Sequence, residues 1–163
     1  MSIEQLTILL ADDDKDDRLF FKMALDALDI STQLETVVDG EKLMDHLSEN
    51  EQQLPDVLFL DLNMPRKNGF ECLSEIKLNE KLKQLPVIIF STSFEQEVVN
   101  LLYQNGAHYF MRKPAEFSQL KTIIRQTVTL ISQNILAGNG RNISQPIREN
   151  FVLTEQNSLR GMT

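Results

Sequence analysis

The sequence predicts an α/β protein with a doubly wound, five-stranded parallel sheet and helices on both faces. Short apolar runs alternate with segments of helical spacing between residues 7 and 131, which is the pattern of successive βαβ units. The central apolar runs contain few polar residues, as is typical of strands that are covered on both faces. In such sheets, ligands bind outside the carboxyl ends of the strands, so the functional residues are expected there.

The predicted strands are short, apolar and each followed by helical spacing. They are Thr7–Ala11, Leu34–Val38, Val57–Leu62, Val87–Ser91 and Tyr109–Arg112. Apolar residues three and four positions apart predict the helices Asp16–Leu28, Glu41–Leu47, Phe70–Leu78, Glu95–Asn105 and Ala115–Ile131. On the first helix, this spacing predicts a buried stripe through Phe20, Met23 and Ala24.

Composition predicts one globular domain over residues 1–132 and a C-terminal tail, partly flexible and without an output domain, over residues 133–163. The net charge of −8 and the pI of about 4.8 argue against nucleic-acid binding, which needs clustered basic residues. The longest apolar runs fall short of a membrane span, so no membrane association is expected. With Cys72 as the single cysteine, the cytoplasm is the expected compartment.

Polar side chains stand at the carboxyl ends of four predicted strands. They are Asp12 and Asp13, Asp61, Ser91 and Thr92, and Lys113. Because these ends meet at one edge of a parallel sheet, a site with three carboxylates, a hydroxyl and an ammonium is predicted there. Clustered carboxylates repel one another unless a cation lies between them, and oxygen ligands favour Mg²⁺ or Mn²⁺. A metal with a lysine suits phosphoryl transfer, and a carboxylate can be its nucleophile.

The other acids of the run after the first strand are given less specific roles. Asp16 and Asp17 are interpreted as a solvated helix face, and Asp14 as the N-cap of the first helix. The two histidines are predicted to have no chemical role, with His46 on a helix surface and His108 in a turn.

Four motifs, in this order, resemble the receiver domain of two-component response regulators over about residues 6–131. They are LLADDD at Leu9–Asp14, DLNMPRKNGFE at Asp61–Glu71, LPVIIFSTS at Leu85–Ser93 and FMRKP at Phe110–Pro114. Within this family, the chain resembles the small single-domain regulators associated with phytochrome-like kinases. The resemblance implies a flavodoxin-like strand order, 2-1-3-4-5.

The resemblance also implies the metal and phosphoryl ligands. Asp61 would accept the phosphoryl group from the phosphohistidine of a sensor histidine kinase or a histidine phosphotransfer protein. Asp13, Asp61 and the backbone carbonyl of Asn63 would bind the cation, and Asp12 would hold a metal-bound water. Lys113 would pair with a phosphoryl oxygen.

Two further residues would form the switch. Ser91 would hydrogen-bond the phosphoryl group, and Phe110 would be the aromatic residue whose rotamer follows Ser91. The resemblance implies a cis peptide before Pro114 as well.

The chain departs from the family pattern beside the site. Thr92 stands where Ala or Gly is usual, and its bulk would restrict access to Asp61. Phe110 replaces the more common Tyr, so no hydroxyl is present. Asn63 and Ser93, each two residues after a site residue, would flank the route of attacking water.

Alternatives to a self-contained switch with output by protein contact remain open. The chain could act as a phosphorelay intermediate or as a phosphorylation-independent binding module. A third alternative is a turnover enzyme, a phosphatase of the haloacid-dehalogenase type. That class needs a second Asp at the position of Asn63.

The signal is predicted to leave through the face made by the fourth helix, the fifth strand and the fifth helix. The fourth helix is predicted to bury Val98, Leu101 and Leu102, which leaves Val99 and Tyr103 as a second apolar strip for a partner. A homodimer through this face is the favoured output. The tail residues 151–153 are the alternative contact, and they are expected to dock either on the domain itself or on a partner. The sequence does not identify the cognate kinase or the target.

Overall fold

The strands of the computed structural model, which describes residues 5–135 and 144–154, form one parallel sheet. They are β1 (Leu6–Ala11), β2 (Thr32–Val37), β3 (Val57–Leu60), β4 (Val87–Ser91), β5 (Tyr109–Arg112) and β6 (Val152–Leu153). Their order is β2-β1-β3-β4-β5-β6. The parallel sheet and the order 2-1-3-4-5 are thus confirmed, and the prediction of five strands was one strand short.

The helices connect successive strands and cover both faces of the sheet. They are α1 (Lys15–Asp26), α2 (Gly40–Glu49), α3 (Gly69–Leu78), α4 (Gln96–Gln104) and α5 (Phe117–Asn134). Buried residues of α2, α3 and α4 form one core cluster with one side of the sheet, and those of α1 and α5 form a second cluster with the other side. Alternate residues of β1 divide between the clusters: Leu9 and Ala11 belong to the first, and Ile8 and Leu10 to the second.

Local hydrogen bonds explain where three helices begin. The side chain of Asp14 accepts a bond from the backbone nitrogen of Asp17, so Asp14 is the N-cap of α1, as the sequence predicted. Asp39 caps α2 in the same way. Asn68 caps α3 in a capping box with Glu71, in which each side chain accepts a backbone N–H of the other residue.

The buried faces of two helices differ from the predicted stripes. On α1 the core residues are Phe21, Ala24 and Leu25, whereas Phe20 and Met23 are exposed. The ring of Phe21 packs edge-on against the buried rings of Phe59 and Phe90, and this packing sets the rotation of α1 about its axis. The buried stripe of α1 is therefore shifted by one residue from the predicted stripe.

On α4 the prediction was wrong in the same manner. Val99 and Leu102 are buried, and Leu101 is 48% exposed. Val99 therefore belongs to the core and not to a strip that awaits a partner.

The segment of residues 144–154 packs against α4 and β5. Phe151 is fully buried, with its ring centroid 5.1 Å from that of Tyr103, and its carbonyl accepts a hydrogen bond from the backbone nitrogen of Phe110. The hydroxyl of Tyr103 donates to the carbonyl of Pro146 at 2.8 Å. The side chain of Gln145 donates to the carbonyls of Tyr103 and Ala107. Tyr103 is thus engaged by the chain's own C-terminal segment, which overturns its assignment to a partner surface.

The predicted flexible stretch around residues 138–142 lies outside the described residues. Of the two possibilities for residues 151–153, docking on the domain or on a partner, the structure shows the first, since β6 pairs in parallel with β5, Phe110 with Val152 and Met111 with Leu153. Among the described residues, no helix combines the length and the apolar character needed to cross a membrane.

Replacement of Phe151 by alanine is expected to destabilise the fold. The side chain is completely buried against Tyr103, so its loss should lower the free energy of unfolding by about 3 kcal/mol or more. Ile147→Ala, at a side chain that is 63% exposed, is the control and should change it by less than about 0.5 kcal/mol. Urea unfolding of both variants measures the difference, and equal values would show that the segment does not stabilise the domain.

Candidate phosphoacceptor and metal site

The carboxyl ends of β1 and β3 bring two acids together. Ala11 and Leu60 are paired in the sheet, so the next residue of each strand, Asp12 and Asp61, lies at the same level of the edge. The backbone nitrogen of Asp61 donates to the carbonyl of Ala11 at 2.9 Å, which continues the pairing one step beyond the strand. Asp12 is fully buried and Asp61 is 5% exposed.

Asp13 completes a group of three carboxylates with Asp12 and Asp61. One oxygen from each lies within 4.8 Å of the others, and Asp13 is exposed to solvent. The side chain of Asp12 accepts the backbone N–H of Asp14 at 3.0 Å, and that of Asp61 accepts the N–H of Asn63 at 3.4 Å. The structure therefore brings together the carboxylates that the sequence predicted to converge.

Close packing holds the loop that follows Asp61. The backbone nitrogen of Gly69 donates to the carbonyl of Leu62 at 2.9 Å. A Cβ atom at position 69 would lie 2.2 Å from the carbonyl oxygen of Asp61, so only glycine allows this approach of α3. Asn63 is exposed, whereas Leu62 and Met64 beside it are buried. The turn thus presents Asn63 at the mouth of the site.

Lys113, one residue beyond β5, points its ammonium into the carboxylate group. Its Nζ lies 2.7 Å from Oδ2 of Asp12, 2.9 Å from Oδ2 of Asp17 and 3.8 Å from Oδ2 of Asp61. It also lies 5.0 Å from the centroid of the Phe90 ring. The lysine side chain is only 8% exposed, so these contacts replace most of its hydration.

Asp17 is the site residue that the sequence analysis missed. The sequence predicts a solvated helix face for Asp16 and Asp17, but the side chain of Asp17 accepts a hydrogen bond from Lys113. Asp17 lies in the first turn of α1, four residues after Asp13, and this closeness to the end of the first strand was the available signal. Spacing alone did not distinguish Asp17 from Asp16, since both lie in the first turn.

The hydroxyl residues lie on the neighbouring strand. Ser91, the last residue of β4, is fully buried, and its Oγ accepts the backbone N–H of Ser93 at 3.2 Å. Its carbonyl accepts the backbone N–H of Lys113 at 2.8 Å, which joins the ends of β4 and β5. Thr92 and Ser93 are exposed beyond the strand.

Phe110 lies on the side of the sheet that α4 covers. Its side chain is fully buried, and its ring packs edge-on against Phe94 at 5.8 Å.

The described residues contain no cis peptide bond, so the cis peptide expected before Pro114 is not found. His108 accepts the backbone N–H of Val87 through Nδ1, and His46 pairs with Glu35 at 2.9 Å.

Burial shifts the pKa values of the ionisable side chains in the site. Burial, together with the charges of Asp12 and Asp13, raises the pKa of Asp61 to about 7, against the opposing effect of Lys113. Burial also raises the pKa of Asp12, although its contact with Lys113 lowers it. Burial alone would lower the pKa of Lys113, but its hydrogen bonds to Asp12 and Asp17 leave that pKa above its ordinary value.

The donor set fits a hard divalent cation. All the candidate ligands are oxygens, and two of the three carboxylates are buried at a net cost that a cation would offset. Oδ2 of Asp12 is buried and has no hydrogen bond of acceptable angle within the described residues, although Lys113 Nζ lies nearby. A buried carboxylate oxygen held by an ionic contact alone can still accept a hydrogen bond from a metal-bound water. The acidic group therefore resembles a magnesium site.

Comparison with known proteins assigns the chain to a family. The sequence profile of the response regulator receiver domain matches residues 8–125. The chain is a member of the receiver-domain family. The family match decides against the haloacid-dehalogenase phosphatase alternative, and receiver domains are in general signalling switches that histidine kinases phosphorylate.

Relatives of known structure are similar over most of this receiver domain. Response regulator Rcp1 of Synechocystis is 31% identical over 76% of this chain and 91% of its own length. The crystal structure of the phosphorylated cyanobacterial phytochrome response regulator RcpA superposes with a TM-score of 0.71, at 29% identity, over 83% of this chain and 96% of RcpA. The Mn²⁺-bound form of Rcp1 gives a TM-score of 0.66 at 29% identity, over 86% and 99%. The resemblance to small phytochrome-associated regulators is confirmed.

Asp13→Ala is expected to weaken Mg²⁺ binding by on the order of tenfold or more. The reason is that Asp13 is predicted to bind the cation directly, and the loss of such a ligand should cost at least as much as the loss of an outer-shell partner. Asp16→Ala removes the same charge from the same acidic run without touching the carboxylate group, and it should leave the affinity nearly unchanged. Isothermal titration calorimetry compares the two variants. Equal losses would mean that the acids attract cations only as a diffuse charge.

Asp61→Asn is expected to stabilise the metal-free protein at alkaline pH. The pKa of Asp61 is raised in the folded chain from 3.8 to about 7. The stability contributed by its proton is therefore fully present below pH 3.8 and is lost as the pH rises through about 7. Asparagine does not suffer this loss, so the variant should gain about 1–3 kcal/mol over wild type between about pH 5 and about pH 8.

Urea unfolding with a chelator at the two pH values measures this gain, and Asp16→Asn serves as an exposed control. A stability difference between Asp61→Asn and wild type that does not change with pH would contradict the raised pKa.

Proposed function

We propose that the chain is a phosphorylation-dependent signalling switch that accepts a phosphoryl group on Asp61. The observation that carries the proposal is the arrangement around this carboxylate. One carboxylate oxygen each of Asp12 and Asp13 lies within 4.8 Å of an Asp61 oxygen, and the Lys113 ammonium lies 3.8 Å from Asp61. Phosphoryl transfer requires positioning and neutralisation of negative charge, and these groups supply both.

The proposed transfer makes one bond and breaks one. An oxygen of Asp61 attacks the phosphorus of a phosphohistidine on a sensor histidine kinase or a histidine phosphotransfer protein. The phosphorus–nitrogen bond breaks, and its electron pair stays on the imidazole nitrogen. Lys113 neutralises one phosphoryl oxygen, and the hydroxyl of Ser91 donates a hydrogen bond to another. Because the acceptor is part of the chain and is consumed by each transfer, the protein is a switch and not a turnover enzyme.

A divalent cation, Mg²⁺ or Mn²⁺, belongs to this proposal. Asp13, Asp61 and the backbone carbonyl of Asn63 would hold it directly, and Asp12 through a water molecule. When bound, it would neutralise charge on the carboxylates and on the transferred group. The Mn²⁺-bound form of the relative Rcp1 supports this assignment, as the phosphorylated form of RcpA supports acceptance of a phosphoryl group.

The signal is proposed to leave through contact with another protein in the cytoplasm. Phe110 and Ser91 lie on adjacent strands, and Phe94, 41% exposed, packs on Phe110 at the surface. Leu101 of α4 is exposed on the same side of the sheet. These two apolar side chains replace Val99 and Tyr103 as the proposed contact surface, for a second copy of the chain or for a different protein. The side chain of Thr92 is proposed to limit the access of water to the site through its bulk, and Asn63 and Ser93 are proposed to flank the route of that water.

Incubation with acetyl phosphate and Mg²⁺ is expected to add one phosphoryl group that is stable in acid and labile in base. Intact-mass measurement of wild type and Asp61→Asn tests the acceptor, and only wild type should gain the mass. Equal labelling of both would exclude Asp61. A wild-type chain that takes up neither acetyl phosphate nor beryllofluoride would favour a phosphorylation-independent binding module. Light scattering of the labelled sample reports whether the partner is a second copy.

A further inference from the structure

Lys113 is held in this structure by a carboxylate outside the metal-binding group. Its ammonium lies 2.9 Å from Asp17 but 3.8 Å from Asp61, the acceptor. We propose that Asp17 is a positioning residue, which holds Lys113 beside α1 and so limits how readily the ammonium reaches a phosphoryl group on Asp61. The inference rests on the proposed function, because it concerns the same transfer.

The position of Asp17 follows from the start of α1. Asp14 caps the helix and accepts the backbone N–H of Asp17, which places Asp17 in the first turn next to the carboxyl edge of the sheet. Its side chain then reaches Lys113, a residue 96 positions later in the sequence. Asp16, its neighbour in the same turn, is exposed and makes no ion pair with any residue of the described chain.

The contact competes with the phosphoryl group for one cation. An ammonium has three N–H donors, and in this structure Nζ lies within 3 Å of both Asp12 and Asp17. Asp12 lies in the carboxylate group that would hold the metal, whereas Asp17 does not. Two of the three donors are thus engaged, and the contact with Asp17, the one outside the metal-binding group, is the one that we propose is exchanged as Lys113 turns towards Asp61.

The strength of the contact sets the expected size of the effect. The Asp17 side chain is 34% exposed, so water weakens its attraction for Lys113. Only the fraction of molecules in which the ammonium is free to turn reacts readily, so the observed rate is reduced in proportion. Removal of the Asp17 charge should then increase the rate of phosphorylation about two- to fivefold.

The experiment compares initial rates of labelling by acetyl phosphate at saturating Mg²⁺, followed by intact mass. Asp17→Asn is expected to be labelled faster than wild type, and Asp17→Glu, which keeps the negative charge, should restore the wild-type rate. Asp16→Asn is the matched control, because it removes a charge from the same helical turn without touching Lys113. It should behave as wild type.

A double-mutant cycle tests whether Asp17 acts through Lys113. In a Lys113→Met background, in which labelling is slower, Asp17→Asn should cause no further change. A purely structural or long-range electrostatic role would not produce this dependence on Lys113.

Four outcomes would overturn the inference. They are a rate for Asp17→Asn equal to that of Asp16→Asn, a slower rate for Asp17→Asn than for wild type, no rescue by glutamate, and an equal gain in the Lys113→Met background. Failure of the proposed function itself looks different, because wild type would then gain no phosphoryl group or Asp61→Asn would be labelled equally.

Discussion

The ammonium of Lys113, enclosed by the carboxylates of Asp12, Asp17 and Asp61, is the interaction on which the site depends. Neither partner would be stable here alone. A buried carboxylate without a cation is driven towards its neutral form, and a buried ammonium without an anion loses its proton. Each charge therefore offsets part of the burial cost of the other: Lys113 opposes the rise in the pKa of Asp61, and Asp12 and Asp17 hold the pKa of Lys113 above its ordinary value. A divalent cation among the same carboxylates would share this role, which explains why one small edge of the sheet can hold so many acids.

The sheet makes this concentration of charge possible. Adjacent parallel strands end at the same level, so Asp12 follows β1 beside Asp61, and Lys113 is tied through its backbone to the end of β4. The absence of a side chain at Gly69 lets α3 begin directly against the carbonyl of Asp61. The sheet and the start of α3 thus supply the positions, while the side chain of Lys113 is the part that we propose moves between partners.

The C-terminal segment changes which surface of the domain is available. β6 covers the edge of β5 that would otherwise present unpaired backbone groups to other chains. Phe151 and Pro146 engage Tyr103, so that part of α4 is not free for a partner. The same segment hydrogen-bonds to the backbone of Phe110, and it therefore connects the edge of the sheet to the residue that we propose as part of the switch.

The sequence by itself determined the order and type of the first five strands and of the five helices, and the convergence of Asp12, Asp13, Asp61 and Lys113. These follow from the alternating pattern and from the geometry of parallel strands, which brings strand ends together whatever the details of packing. Even the family resemblance added roles to these positions without changing them.

The tertiary structure decided whatever depends on how an element is rotated or on a contact between distant segments. Asp16 and Asp17 are equivalent in the sequence, and only the rotation of α1, set by Phe21 against Phe59 and Phe90, turns Asp17 towards Lys113. β6 contains two residues and has no periodicity to detect, so its pairing with β5 arises from tertiary contacts alone. The same apolar spacing allows a helix to bury more than one face, and a two-residue strand forms only beside its partner. In both cases the contacts with the rest of the fold decide which arrangement is stable.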